Sequence, residues 1–100
     1  MAFRIGRSAA IEQQIRDLAK LATAAGIRKI YVDALRTMVD HLANRPLEWG
    51  DPEYNLIQAG GVVCHGIIAP ILVRYAVYQL EQIVQIIEIK PLSNSPLDVS

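Results

Sequence analysis

The chain has 100 residues, of which 52% are hydrophobic and 20% charged, and its formal net charge is zero at pH 7. This length suits one domain with one core, and zero net charge excludes a global electrostatic attraction for nucleic acid or an anionic membrane. A single cysteine, Cys64, excludes an intramolecular disulfide framework and a zinc site built from cysteines. The N-terminal MAFRIGR has no apolar signal-peptide core, so we expect a cytoplasmic globular domain.

The first half of the chain predicts a short strand followed by two helices. Phe3-Arg4-Ile5 alternates in polarity as an edge strand does, and Ser8 is a good helix N-cap. Apolar residues then recur at helical spacing as far as Gly26, a glycine suited to the left-handed conformation that ends many helices. A second apolar stripe runs from Ile27 to Leu42. The short link predicts an antiparallel αα-hairpin, which ends at Arg45-Pro46.

The second half predicts a sheet. Leu47 to Gln58 contains the turn residues Gly50-Asp51-Pro52 and is expected to be a connecting segment. A strand is expected from Val62 to His65 and a loop from Gly66 to Pro70. The prolines and serines of residues 93–100 predict a flexible tail after a single domain of residues 1–92. A strand, two helices and three mostly antiparallel strands in that order predict an α+β fold with one sheet.

A β-hairpin is expected within the stretch from Val62 to Lys90, which is rich in β-branched and aromatic residues. A turn at Gln79 to Gln82 would place Tyr78 opposite Ile83. Alternation along the strands then gives a core face, which consists of Val73, Tyr75, Val77, Val84 and Ile86. The opposite face holds the polar groups and consists of Leu72, Arg74, Ala76, Tyr78, Gln85 and Ile87. Any chemistry on the hairpin is expected on this second face.

Three strings carry a family resemblance. They are Phe3-Arg4-Ile5 leading into Ser8-Ala9-Ala10, LANRPLEWGDPEYNL from Leu42 to Leu56, and ILVRYAVYQLEQIVQIIEIKPL from Ile71 to Leu92. In this order they resemble the RelE/ParE superfamily of bacterial toxin–antitoxin systems, which usually has a tyrosine at the position of Tyr75. The resemblance covers roughly Phe3 to Leu92. It implies a small cytoplasmic toxin-like fold bound by a cognate antitoxin.

The two branches of that family differ in activity, and the fold alone does not choose between them. RelE-type members cut messenger RNA in the ribosomal A site, whereas ParE-type members poison DNA gyrase. The ribonuclease branch commonly has an arginine three residues before the tyrosine, where this chain has Leu72. It also has basic and aromatic or histidine residues after the last strand, where this chain has Pro91 to Ser95.

These departures predict a toxin-family protein that acts through binding a protein, either an antitoxin or itself, and that has a degenerate ribonuclease site. Two alternatives stay open. One is an active ribosome-dependent mRNA endoribonuclease that uses Arg74 on the exposed sheet face. The other is a homodimeric structural protein with no toxin role.

The candidate catalytic residues are Arg74, Tyr78 and His65. A guanidinium binds phosphate well, so Arg74 could replace the missing arginine. The alternative is a structural arginine that pairs with Glu88 or with a helix carboxylate. Imidazole titrates near neutrality, which makes His65 the best acid/base by residue type. A pair of His65 with the neighbouring Cys64 is disfavoured, because adjacent strand residues point to opposite faces.

The candidate binding residues are Trp49, Gln85 and Lys90. Trp49 is interpreted as an interface anchor or as the side chain that closes the core. Glu48, Asp51 and Glu53 surround it in sequence. They are interpreted as helix-entry and turn residues, since a metal site or a paired-carboxylate role would require them to converge across a Gly-Pro turn. The sequence has no glycine-rich phosphate loop and no zinc ligand set, so we expect no cofactor, no metal and no membrane contact.

Overall fold

The fold of this chain is α+β with a single mixed sheet, seen in a computed structural model that describes residues 2–98. The elements are β1 (Arg4–Gly6), α1 (Ala9–Ala24), α2 (Arg28–Asn44), α3 (Pro46–Trp49), β2 (Asp51–Leu56), β3 (Gly61–Ile68), β4 (Ile71–Tyr78) and β5 (Ile83–Pro91). The strand order is β1-β5-β4-β3-β2, with β1 parallel to β5 and all other neighbours antiparallel. The predicted α+β class with one sheet is confirmed, but four strands follow the helices instead of the expected three.

The start of α1, the turn between α1 and α2 and the end of α2 lie where the sequence signals predicted them. The Ile11 N–H donates a hydrogen bond to the Ser8 hydroxyl oxygen at 3.2 Å, so Ser8 is the N-cap of α1. Gly26 has a φ of +75°, the left-handed conformation that lets the chain turn from α1 into α2. Helix α2 ends at Asn44, directly before Arg45-Pro46. The predicted αα-hairpin is therefore confirmed.

The core lies between the helices and one face of the sheet, here called the inner face. Helices α1 and α2 contribute their apolar stripes, and their buried residues are Ile11, Leu18, Ala22, Tyr31, Ala34, Met38 and Leu42. The five hairpin residues predicted to face the core are at most 2% exposed. Tyr78 pairs with Ile83, as predicted. The opposite face, here called the outer face, is not covered by any helix of the described residues.

The segment from Asp51 to Leu56 is the strand β2, not the connecting loop that was expected. Its Asp, Pro and Asn residues are depleted in strands, which hid it, but an edge strand tolerates them. Strand β3 likewise continues to Ile68 through Gly66, where a loop was expected. A Cβ on Gly66 would lie 2.7 Å from the Trp49 ring. This glycine therefore marks the close approach of an indole and does not break the strand.

A β-bulge in β5 changes which residue faces Arg74. Tyr75 pairs with Ile86 while Arg74 pairs with Glu88, so Ile87 is the extra residue. The sequence analysis placed Ile87 on the polar face, where a hairpin without a bulge would put it opposite Arg74. That prediction is wrong, because Glu88 takes this position. The bulge brings a carboxylate beside the guanidinium and turns Ile89 into the core, where it is 2% exposed.

The flexibility predicted for residues 93–100 stays a prediction. Within that stretch Leu97 is fully buried in the core cluster, and Val99 and Ser100 lie outside the described residues. Just before it, the Leu92 N–H donates a hydrogen bond to the Pro70 carbonyl oxygen at 2.8 Å. In the part of the chain that the structure describes, no helix is long and apolar enough to cross a bilayer.

Candidate functional site

Ionisable side chains converge on the outer face, where four neighbouring strands place them side by side. Asp51 pairs with His65, His65 with Arg74, and Arg74 with Glu88, and cross-strand partners share a face. Two further side chains belong to the group through contacts described below. The ion cluster therefore consists of Asp51, Glu53, His65, Arg74, Glu88 and Lys90.

Arg74 is the centre of the ion cluster. Its Nε donates a hydrogen bond to Glu53 Oε2 at 2.9 Å, and its Nη1 donates another to Glu88 Oε1 at 3.0 Å. Glu53 reaches the guanidinium because β2 has a register shift between Pro52 and Tyr54. The hydrogen bond from Arg74 holds the pKa of the Glu53 carboxyl below its usual value and raises the pKa of the guanidinium. Glu53 is therefore a carboxylate at neutral pH.

His65 lies between two carboxylates. Its Nδ1 is 3.8 Å from Glu53 Oε2, and its Nε2 is 4.0 Å from Asp51 Oδ2. Both distances exceed hydrogen-bond length. The two contacts are ion pairs only when the imidazole is protonated, because a neutral imidazole carries no charge. The contact of Lys90 with Glu88 is similarly long, with 4.0 Å between Nζ and Oε1. With His65 neutral, the ion cluster holds three carboxylates against two cations and so repels anions slightly.

Two candidate residues lie on the outer face but away from the ion cluster. Tyr78 is four residues from Arg74 along β4, about 13 Å at the usual rise, and its ring lies against Gly61. Gln85 pairs with Ala76 and Gly6, and its Nε2 donates only to the Ile86 carbonyl oxygen at 3.5 Å. Among the described residues, neither side chain forms a hydrogen bond or ion pair with the ion cluster. Their predicted roles stay predictions.

Trp49 lies in a stack of three rings between the helices and the inner face. Its ring centroid is 5.1 Å from that of His41 and 5.7 Å from that of Tyr75, with nearly parallel planes. The Tyr75 hydroxyl donates to the Pro46 carbonyl oxygen at 2.6 Å and accepts from the Gly50 N–H at 3.0 Å. This geometry favours the interpretation of Trp49 as the side chain that closes the core over its role as an interface anchor.

Cys64 lies on the inner face and is almost fully buried. Burial raises the pKa of its thiol, which disfavours the reactive thiolate. His65 points to the outer face, so the two side chains do not form a nucleophilic pair, as alternation predicted. Among residues 2–98 no three His, Cys, Asp or Glu side chains are arranged to hold a metal ion.

A second surface is a groove on the helix side, beside the edge strand β1. The β1 groove has a volume of about 200 Å³ and is lined by Ile5, Arg7, Ile15, Leu35, Met38, Val39 and Ile86. Its lining is mainly apolar, and Val39 is partly exposed to solvent. Within the described residues, Arg4, Arg7 and Arg36 form no ion pair.

Sequence reasoning missed Glu53 as a member of the site. It was interpreted as a turn residue because Pro52 precedes it. Its contact with Arg74 depends on the register shift between β2 and β3, which cannot be read from the sequence. The two-residue spacing of Tyr54 and Leu56 is the signal that could have revealed a strand here.

Comparisons of the chain with protein-family models, with curated proteins and with solved structures found no match. The RelE/ParE resemblance is therefore a hypothesis that depends on the strings quoted above.

Proposed function

We propose that the chain is a RelE/ParE-like domain that acts by binding a partner protein, with the antitoxin of a toxin–antitoxin pair as the first candidate. One observation carries the choice of binding over catalysis. The Arg74 guanidinium, which would have to hold a scissile phosphate, is already hydrogen-bonded to Glu53 and Glu88. A phosphate would have to displace one of these two carboxylates from the guanidinium.

The β1 groove supports a protein partner, because it combines an apolar lining with a basic side chain, Arg7, that lacks an ion-pair partner among the described residues. An amphipathic helix could lay its apolar face on Val39 and Leu35, and an acidic residue beside that face would pair with Arg7. This mode requires a partner segment that is apolar and acidic.

The test is co-expression of the tagged chain with the product of an adjacent small gene that encodes a DNA-binding antitoxin. We expect a complex that survives purification and is lost in Val39→Arg, because the new cation would place a charge in the β1 groove. Ile30→Arg is the matched control: Ile30 is also exposed on α2 but does not line the groove. The absence of a complex, or equal losses in the two variants, would count against this site.

A second candidate function, RNA cleavage, is favoured by the convergence of Glu53, His65 and Arg74 on one open face. The Glu53 carboxylate would accept the proton of a ribose 2′-hydroxyl, whose oxygen then attacks phosphorus. Arg74 would stabilise the charged phosphorane, and a protonated His65 would give its proton to the departing 5′-oxygen. The product would be a 2′,3′-cyclic phosphate.

Induced expression in a bacterial host separates the two functions. Unimpaired growth with intact transcripts is the outcome expected for a domain that binds and does not cut. Growth arrest with codon-phased cuts in primer extension, abolished by both Glu53→Gln and Arg74→Ala, would establish cleavage as the function. Arrest that survives both changes would count against the ion cluster as a catalytic site.

A further inference from the structure

The two halves of the chain carry opposite charge, which the zero total conceals. Residues 2–49, which form β1 and the helices, contain eight Lys and Arg against five Asp and Glu. Residues 50–98, which form the other strands, contain two against five. The helices cover the inner face, whereas the ion cluster lies on the outer face. The molecule is therefore an electric dipole whose helix side is positive.

Most acidic side chains of α1 and α2 already have partners on their own helix. Asp17 accepts a hydrogen bond from a glutamine side chain at 2.8 Å, and Asp33 accepts one from Lys29 at 3.2 Å. Asp40 accepts one from an asparagine side chain at 3.0 Å. These carboxylates are therefore less available to neutralise the other cations of the helix side.

Four exposed cations lie along the outer side of α1 and are here called the basic track. Arg16 and Lys20 are one turn apart, about 6 Å along the helix axis, on the side of α1 opposite its buried residues. Arg7 and Arg16 line one depression beside the start of α1. Lys20 and Arg28 line another, of about 380 Å³, where α1 meets α2. The basic track therefore follows α1 from one end towards the other.

The basic track is short of anionic partners within the chain. Among the described residues, Arg7, Lys20 and Arg28 form no ion pair, and Arg16 Nη2 donates only to a glutamine oxygen at 3.0 Å. Glu12 lines the same depression as Arg7 and Arg16 but pairs with neither. Even with Glu12 counted, the basic track keeps a net positive charge and fits an anionic partner.

The surroundings of the basic track favour duplex DNA over other polyanions. Tyr31 is the only Phe, Tyr or Trp of α1 and α2 and it is buried, so no such ring is available to stack the bases of a single strand. No large exposed apolar side chain lines the two depressions, which disfavours a membrane surface. An α-helix fits the wide major groove of B-DNA, whereas that of A-form RNA is narrow.

We propose that the basic track docks on the phosphate backbone of duplex DNA, with α1 along the major groove and without reading the sequence. A duplex has one negative charge per about 1.7 Å of its axis, so each of the four cations can reach a phosphate. The dipole turns the helix side towards the DNA and the ion cluster away from it. This inference does not depend on the proposed function, although the basic track and the β1 groove share Arg7.

The test is fluorescence anisotropy of a labelled DNA duplex of arbitrary sequence with the full chain at increasing salt. Four phosphate contacts predict a slope of about −3.6 for log affinity against log salt concentration, a loss of about 150-fold between about 50 and about 200 mM. The single strand of the same sequence and the corresponding RNA duplex should both bind more weakly, for the reasons given above.

Paired substitutions test the basic track itself. Lys20→Ala combined with Arg28→Ala should halve the slope and weaken binding at about 100 mM salt by at least about tenfold, because two phosphate contacts are lost. Arg4→Ala combined with Arg45→Ala is the matched control. It removes the same charge from two exposed arginines outside the basic track, and it should keep the wild-type slope. Circular dichroism verifies that both double variants are folded.

Four results would overturn the proposal. They are no binding of the duplex at the lowest salt, a single strand or RNA duplex that binds as tightly, an unchanged slope in the Lys20 and Arg28 variant, and an equal loss in the control. Neither Lys20 nor Arg28 lines the β1 groove, so their variant should keep the antitoxin complex. A chain that binds DNA in this way but forms no antitoxin complex would count against the proposed function alone.

Discussion

The two faces of the sheet are made by the same strands, but different sequence features determine which side chains lie on each face. On the inner face, Val73, Tyr75 and Val77 alternate without interruption and are essentially buried. On the outer face, Arg74 receives its two carboxylates only because bulges in β2 and β5 displace the register. A simple period-two pattern therefore builds the core, whereas two local irregularities assemble the ion cluster.

The largest difference between the faces should appear when an apolar side chain is truncated. Ile89→Ala should lower the free energy of unfolding by about 3 kcal/mol, because it leaves a cavity in the core. Ile67→Ala in dilute solution should change it by less than about 0.5 kcal/mol, since Ile67 is already half in water. Urea unfolding of both variants measures this. Equal losses would mean that the bulge at Ile87 does not turn Ile89 inward.

A smaller difference is expected between two tyrosines of β4. Tyr75→Phe removes a hydroxyl that serves the Pro46 carbonyl and the Gly50 N–H, leaving both buried groups without that partner. We expect a loss of about 2 kcal/mol in the free energy of unfolding. Tyr78→Phe is the matched control and should cost less than about 0.5 kcal/mol, because its hydroxyl forms no hydrogen bond among the described residues. Comparable losses would show that Tyr75 acts by size alone.

The smallest expected effect is the pH dependence that Glu53 adds to the free energy of unfolding. Its pKa is lower in the folded protein than the usual 4.5, so the folded state favours the carboxylate. This contribution is present above about pH 4.5 and is lost as the pH falls through the folded-state pKa. The stability gap between the wild type and Glu53→Gln should therefore narrow on acidification from about pH 6 to about pH 3. Urea unfolding across this range measures it, and a gap that is constant or widens would contradict the assignment.

The helices and the inner face could be predicted because each depends on a local or periodic signal. Ser8 and Gly26 mark helix ends by their own chemistry, and the pair of Tyr78 with Ile83 follows from the turn at Gln79 to Gln82. Alternation also predicted that the tyrosine at position 75 faces the core. Its partners could not be predicted, because the Pro46 carbonyl and the Gly50 N–H come from a segment interpreted as irregular.

The ion cluster could be predicted only in part. Arg74 and His65 were identified by residue type, and the pair of Arg74 with Glu88 was one of two interpretations. Glu53 could not be assigned, since Pro52 argued against a strand and a bulge adds one residue without a clear sequence mark. Tertiary packing determines where a bulge forms, and the alternation of polar and apolar residues alone does not locate it.

The edges of this sheet limit how the molecule can aggregate. Strand β1 has only three residues, which offers little backbone for another chain to pair with. Strand β2 is longer but contains Pro52, a bulge and two carboxylates, all of which disfavour the addition of a further strand. Fibril growth by edge-to-edge addition is therefore blocked on both sides. We expect concentrated solutions to stay free of cross-β material.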